Sequence, residues 1–208
     1  MPAVPTAVVL AEASHTVRLG AVVGTVLKNA PGVTVVLLRG DLGSGKTTFI
    51  RGLAESLPGG DEAEVASPSF NLVNIYPTQP EVVHMDLYRL HGEEARGLFE
   101  DSAEFPDGQA SGMTGGPSQA DTGRDLPGRI LAVEWAEHLP QDCLERDHLV
   151  FCFRPAFAGR MVEISAHGPA GEALLSDLAP HLETFTGTFS GDGGQGPPPG
   201  DTDPRDRA

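Results

Sequence analysis

Val33-Thr34-Val35-Val36-Leu37-Leu38-Arg39-Gly40-Asp41-Leu42-Gly43-Ser44-Gly45-Lys46-Thr47-Thr48 is the stretch whose reading decides the fold. Val33 to Arg39 is near-continuously apolar, as expected of a strand covered on both faces. Thr47 to Leu57 reads as an amphipathic helix, stopped by Pro58-Gly59-Gly60. Between them, Gly40 to Thr47 matches GxxxxGK[ST] in full, in the strand–loop–helix context that gives this motif its meaning. Each part has a chemical reason. The glycines let backbone N–H groups turn toward phosphate oxygens without a Cβ clash, and the helix N-terminus directs further N–H groups at the same anion. Asp41, Leu42, Gly43, Ser44, Gly45, Lys46, Thr47 and Thr48 are thus the expected nucleotide contacts. Lys46 would bridge the β- and γ-phosphates, the Thr47 hydroxyl would ligate Mg²⁺ and Thr48 would meet the α-phosphate. Guanine selection is not expected, because an NKxD loop needs Asn before Lys and the two lysines follow Leu27 and Gly45.

A phosphate loop also needs carboxylates near the metal, at the ends of neighbouring strands. Two apolar runs end in acids: Val82-Val83-His84-Met85-Asp86 and Ile130-Leu131-Ala132-Val133-Glu134. Either acid can hold Mg²⁺ while the other orients or deprotonates the attacking water. Ser67-Pro68-Ser69-Phe70 offers two hydroxyls around a fixed Pro, able to bond phosphate or a metal-bound water as a switch does. His84 lacks a third soft ligand near Asp86 and is expected to be a packed or hydrogen-bonded residue. Tyr88 and Trp135 read equally as core or as nucleotide-stacking residues.

Outward from this centre, strands are expected at Thr6–Leu10, Leu72–Tyr76, Val82–Asp86 and Ile130–Glu134, with a late hairpin at Leu149–Phe153 and Met161–Ser165. Helices are expected from Ser14, as N-cap, to Asn29, over Glu93–Ala103 and from Glu172 to about Thr184. This alternation predicts an α/β protein, a P-loop NTPase-like three-layer fold with a mostly parallel central sheet and an antiparallel edge. Two segments read as too poor in apolar side chains to order themselves. Residues 106–128 hold six Gly and three Pro, and 186–208 hold six Gly and four Pro. The expected division is therefore a domain over 1–185 with a flexible insertion at 106–128, followed by a disordered acidic tail at 186–208.

The chain has 208 residues, 29 acidic and 14 basic, for a formal charge of −15. Tight binding to bare nucleic acid is excluded on this balance, since such affinity comes from clustered Lys and Arg. No apolar run approaches the roughly 20 residues of a membrane helix. Cys143 and Cys152 form neither a CxxC pair nor a disulfide framework, so a reducing, cytoplasmic setting is expected.

Gly40–Thr48 as GDLGSGKTT, Ser67–Phe70 as SPSF, His84–Leu90 as HMDLYRL and Glu134–Glu137 as EWAE follow one another in an order and spacing that resemble the TsaE family. The resemblance covers roughly Thr16 to Ile164, apart from the insertion. It implies an ATPase that assists the TsaD–TsaB complex in threonylcarbamoyl modification of adenosine 37 in tRNAs reading codons that begin with A, with tRNA met only indirectly. It further implies ATP and Mg²⁺ as cofactors, with Thr47 and Glu134 ligating Mg²⁺. Asp86 would stand near the γ-phosphate as catalytic base or metal partner, and Thr16, Trp135 and Arg160 would contact nucleotide. The rival reading is a small P-loop kinase acting on a metabolite, but residues 106–128 contain only Arg124 as a basic side chain and suit a closing lid poorly.

Overall fold

The computed structural model describes residues 6–104, 128–157 and 159–185. The expected insertion, apart from Gly128, and the expected tail lie outside these. Seven strands form one sheet: β1 (Thr6–Leu10), β2 (Val33–Arg39), β3 (Val73–Tyr76), β4 (Glu81–Asp86), β5 (Arg129–Glu134), β6 (His148–Pro155) and β7 (Arg160–His167), in the order β1-β7-β6-β2-β5-β4-β3. β2 pairs in parallel with β5 and β6, and β4 with β5. β3 pairs antiparallel to β4, β7 to β6, and β1 to β7. Five of the seven strands therefore run one way, and β3 and β7 are reversed. The expected antiparallel edge is present on both sides of the sheet.

The helices α1 (Ala13–Leu27), α2 (Lys46–Glu55), α3 (Gly92–Ala103) and α4 (Gly168–Leu182) complete three layers. Val36 and Leu38 of β2 face a core built with Leu19, Val23, Phe49, Leu53 and Leu178 from α1, α2 and α4. Val35 and Leu37 face the opposite way, into a core with Ala95 and Phe99 of α3. This two-sided burial is why β2 reads as an unbroken apolar run.

α1 and α2 pack unusually close. A Cβ on Gly52 would lie 1.9 Å from the Val17 carbonyl oxygen, and one on Gly20 would lie 2.0 Å from that of Phe49. Only hydrogen fits at these points, so the two helix backbones lie almost in contact.

Two boundaries differ from expectation for identifiable reasons. Ser14 does not cap α1: the cap position is Glu12, and the Ser14 hydroxyl instead donates to the Glu12 carboxylate at 3.2 Å. α4 begins at Gly168, four residues before Glu172, because Pro169 supplies a preset first-turn φ and the Ala170 N–H is taken up by Asp147 at 3.0 Å. No helix among the described residues is long and apolar enough to cross a membrane.

Candidate functional site

β2 ends at Arg39 and the chain turns at once into the Gly-rich loop. Gly40, Gly43 and Gly45 adopt φ of 132°, 75° and 108°, left-handed values that an L side chain would resist. Gly45 is the N-cap of α2, so Lys46, Thr47 and Thr48 form its first turn. Leu42, Gly43, Gly45, Lys46, Thr47 and Thr48 line an open cleft of about 370 Å³, faced by Ser67, Ser69, Asp86, Tyr88, Arg89, Glu134 and Trp135. The Ser44 hydroxyl is buried without a hydrogen-bond partner, a polar atom left for a ligand of the loop.

The Lys46 ammonium donates to the carbonyls of Gly40 at 2.7 Å and Asp41 at 3.0 Å, and lies 4.0 Å from the centre of the Trp135 ring. Burial pushes its pKa down from 10.5, against the pull of Glu134, Glu137, Asp86 and Asp41.

The parallel register brings the two acids together. Asp86 is the last residue of β4, Glu134 the last of β5, and they are directly paired; Glu134 is also paired with Leu38 of β2, two residues before the loop. The Thr47 hydroxyl donates to Glu134 Oε1 at 2.6 Å. Asp86 Oδ2 accepts the hydroxyls of Ser67 at 2.6 Å and Ser69 at 2.8 Å, and its Oδ1 accepts the Tyr88 N–H at 2.9 Å. Burial alone would raise the Asp86 pKa, but these donors to the ionised form outweigh it and the net shift is downward from 3.8. Asp86 is thus held as a carboxylate.

His84, fully buried, is hydrogen-bonded as expected and joins no cluster of metal ligands: its Nε2 lies 2.9 Å from Glu134 Oε1 and its Nδ1 3.2 Å from the Tyr76 hydroxyl. Among the described residues, no group of three His, Cys, Asp or Glu could hold a metal by itself. The oxygen donors Thr47, Glu134 and Asp86 nonetheless suit Mg²⁺, which keeps several waters and takes one or two protein ligands beside substrate phosphates.

Trp135 adopts φ 58°, a conformation that turns the chain sharply away from Glu134. Its ring lies 5.0 Å from that of Tyr88 and 5.8 Å from that of His138. Arg160, the first residue of β7, sends Nη1 to the fully buried Thr16 hydroxyl at 3.3 Å and would meet a Cβ on Gly45 at 2.2 Å. Thr16 and Arg160 therefore stand against the back of the loop. Sequence reasoning left two rim residues unassigned: Arg89, whose guanidinium lies 4.8 Å above the Phe70 ring, and Phe70 itself, 85% exposed. Arg89 was visible only as one letter of HMDLYRL, and nothing in its spacing pairs it with Phe70.

Residues 10–112 match the family model described as threonylcarbamoyl adenosine biosynthesis protein TsaE. The chain is similar to the tRNA threonylcarbamoyladenosine biosynthesis protein TsaE of Synechocystis, 39% identical over 52% of this chain and 57% of the relative. It is also similar to those of Nostoc, 32% identical over 65% of this chain and 70% of the relative, and Bacillus subtilis, 33% identical over 71% and 78%. The match thus spans little more than half of the Synechocystis protein and over two thirds of the other two. Among solved structures, YdiB of Bacillus subtilis superposes with a TM-score of 0.54 at 24% identity, covering 87% of this chain and 97% of that one, a likeness of fold. With the phosphate loop, the paired strand-end acids and these matches together, the chain belongs to the TsaE family.

Proposed function

We propose that this chain is a Mg²⁺-dependent ATPase that assists the TsaD–TsaB complex in threonylcarbamoyl modification of adenosine 37 in tRNAs reading codons that begin with A. The observation that carries the reading is the Thr47 hydroxyl 2.6 Å from Glu134, with Asp86 paired beside Glu134 on the next strand. That is the constellation a magnesium–triphosphate requires, and the family's involvement in threonylcarbamoyladenosine biosynthesis supplies the context.

The roles follow from the groups present. The amides of Gly43 to Thr48 and the Lys46 ammonium bind the triphosphate, the ammonium meeting the β- and γ-oxygens where negative charge is densest. Thr47, by donating its hydrogen to Glu134, keeps its oxygen lone pairs available to a cation, and the two residues together hold Mg²⁺. When bound, Mg²⁺ would supply charge neutralisation at the β- and γ-oxygens. Asp86, kept ionised by Ser67, Ser69 and the Tyr88 N–H, orients a water and accepts its proton. Trp135 lines the cleft beside the loop, and Thr16 and Arg160, set against the loop's back, act on the nucleotide through it.

With a formal charge of −15, the chain is expected to meet tRNA through its protein partners. The test is ATP turnover measured alone, with TsaD and TsaB, and with those proteins plus substrate tRNA. Strong stimulation in the full mixture is expected. No stimulation, or stoichiometric phosphoryl transfer to a small-molecule acceptor, would overturn the reading in favour of a P-loop kinase.

A further inference from the structure

Among the described residues, His84 is the one fully buried ionisable side chain beside the cleft that the proposed chemistry leaves without a part. It sits in a chain of hydrogen bonds drawn from three adjacent strands: Tyr76 of β3, His84 of β4 and Glu134 of β5. Glu134 Oε1, as a carboxylate oxygen, only accepts, so at 2.9 Å the His84 Nε2 carries the hydrogen. The Tyr76 hydroxyl donates its one hydrogen to the Ala66 carbonyl at 3.2 Å, and its oxygen lies 3.2 Å from His84 Nδ1.

We propose that His84 is a positioning residue, its ring held between Tyr76 and Glu134 so that its Nε2–H aims the Glu134 carboxylate at the Thr47 end of the cleft. Both donors to Glu134, His84 and the Thr47 hydroxyl, fall on Oε1. The carboxylate is therefore fixed in rotation, and Oε2 is the oxygen it offers to a cation. Asn74 and Tyr76 both reach Ala66, the residue before Ser67, so the segment that holds Asp86 and the network that holds Glu134 share one anchor. The importance of such outer partners is general, since a carboxylate that must itself be oriented loses much of its affinity for a metal when its supporting donor goes.

This inference rests on the proposed Mg²⁺–nucleotide reading for its consequence, but not for its geometry, and the two can fail separately. In the nucleotide-free protein, long-range ¹H–¹⁵N NMR of the His84 ring is expected to show a hydrogen on Nε2; a bare Nε2 would overturn the assignment. The functional arm titrates Mg²⁺ against binding of a fluorescent ATP analogue. His84→Asn keeps an amide at the reach of Nδ1 and loses the bond to Glu134, so it should need about tenfold more Mg²⁺. His84→Gln keeps an N–H at the reach of Nε2 and should stay within about threefold of the parent. Binding without Mg²⁺ should be unchanged in both. Equal behaviour of Asn and Gln, or loss of Mg²⁺-free binding, would reduce His84 to a packing residue. Should His84→Asn not fold, Tyr76→Phe serves instead, with a shifted His84 ring spectrum expected; an unaltered ring spectrum would overturn the role of Tyr76. A parent protein that binds no nucleotide would sink the functional proposal and leave the NMR result to decide whether Nε2 carries the hydrogen.

Discussion

The parallel strands β2, β5 and β4 and the β6–β7 hairpin share one sheet, yet they contribute to the cleft very differently. Parallel strands deliver all their C-terminal ends to the same edge, so the loop after Arg39, Asp86 and Glu134 arrive together by geometry. This is the crevice outside the strand ends where open α/β sheets bind ligands. The hairpin reaches that edge near its turn, where Arg160 stands against Thr16 and Gly45 and Phe153 against Gly40. The difference separates a half that would carry the proposed chemistry from a half that braces it, and it can be tested by where mutations act.

The largest effect is expected in the parallel half. Lys46→Ala should abolish ATP turnover, measured as phosphate release; unchanged turnover would remove the loop from the mechanism altogether. Asp86→Asn should lower kcat about a hundredfold or more while nucleotide affinity, read by titration, is largely kept. In the hairpin, Arg160→Ala should raise the nucleotide KM about tenfold, roughly 1.4 kcal/mol, with kcat close to the parent. A collapse of kcat there would erase the distinction between the halves.

The smallest effect lies at the far end of the hairpin. His148 is buried, stacks on His167 at 5.1 Å and has Nδ1 2.7 Å from the Arg146 carbonyl. Burial lowers its pKa from 6.5, partly opposed by that carbonyl. The unfolded chain therefore takes up a proton first as pH falls. The stability this residue contributes is present above pH 6.5 and lost as pH drops through the lowered folded value. His148→Asn should flatten the dependence of Tm on pH just below 6.5, without altering turnover. A slope unchanged by the substitution would place the titrating group elsewhere.

The same contrast governs what the sequence could reveal. β2 was legible to the residue, and β4 and β5 to within one, because strands buried on both faces leave unbroken apolar runs; β1, an edge strand buried on one face, was legible from its short β-branched run. The loop and its strand-end acids were legible because local order along the chain dictates them. β6 and β7 extend beyond the expected hairpin, to Pro155 and to His167, since their half-exposed ends pair without an apolar signature. The cap of α1 was misread because Glu12 and Ser14 bond to each other, a preference that composition does not disclose. Ser67 and Ser69 could be seen as a pair of hydroxyls, but not as two donors on one oxygen of Asp86, seventeen and more residues away. The link from Tyr76 through His84 to Glu134 joins three strands and exists only once their register is set.

The near-contact of α1 with α2 bears on how a nucleotide could come and go. With carbonyls seated against Gly20 and Gly52, α2 has no slack in which to tilt, and the loop at its head is anchored like the fixed jaw of a vice. The opposing jaw, Ser67 to Phe70, is clipped to its neighbour by two hydroxyls and ends in an outward-facing ring. A widening of the cleft is therefore expected on that side, where Phe70 presents an exposed ring.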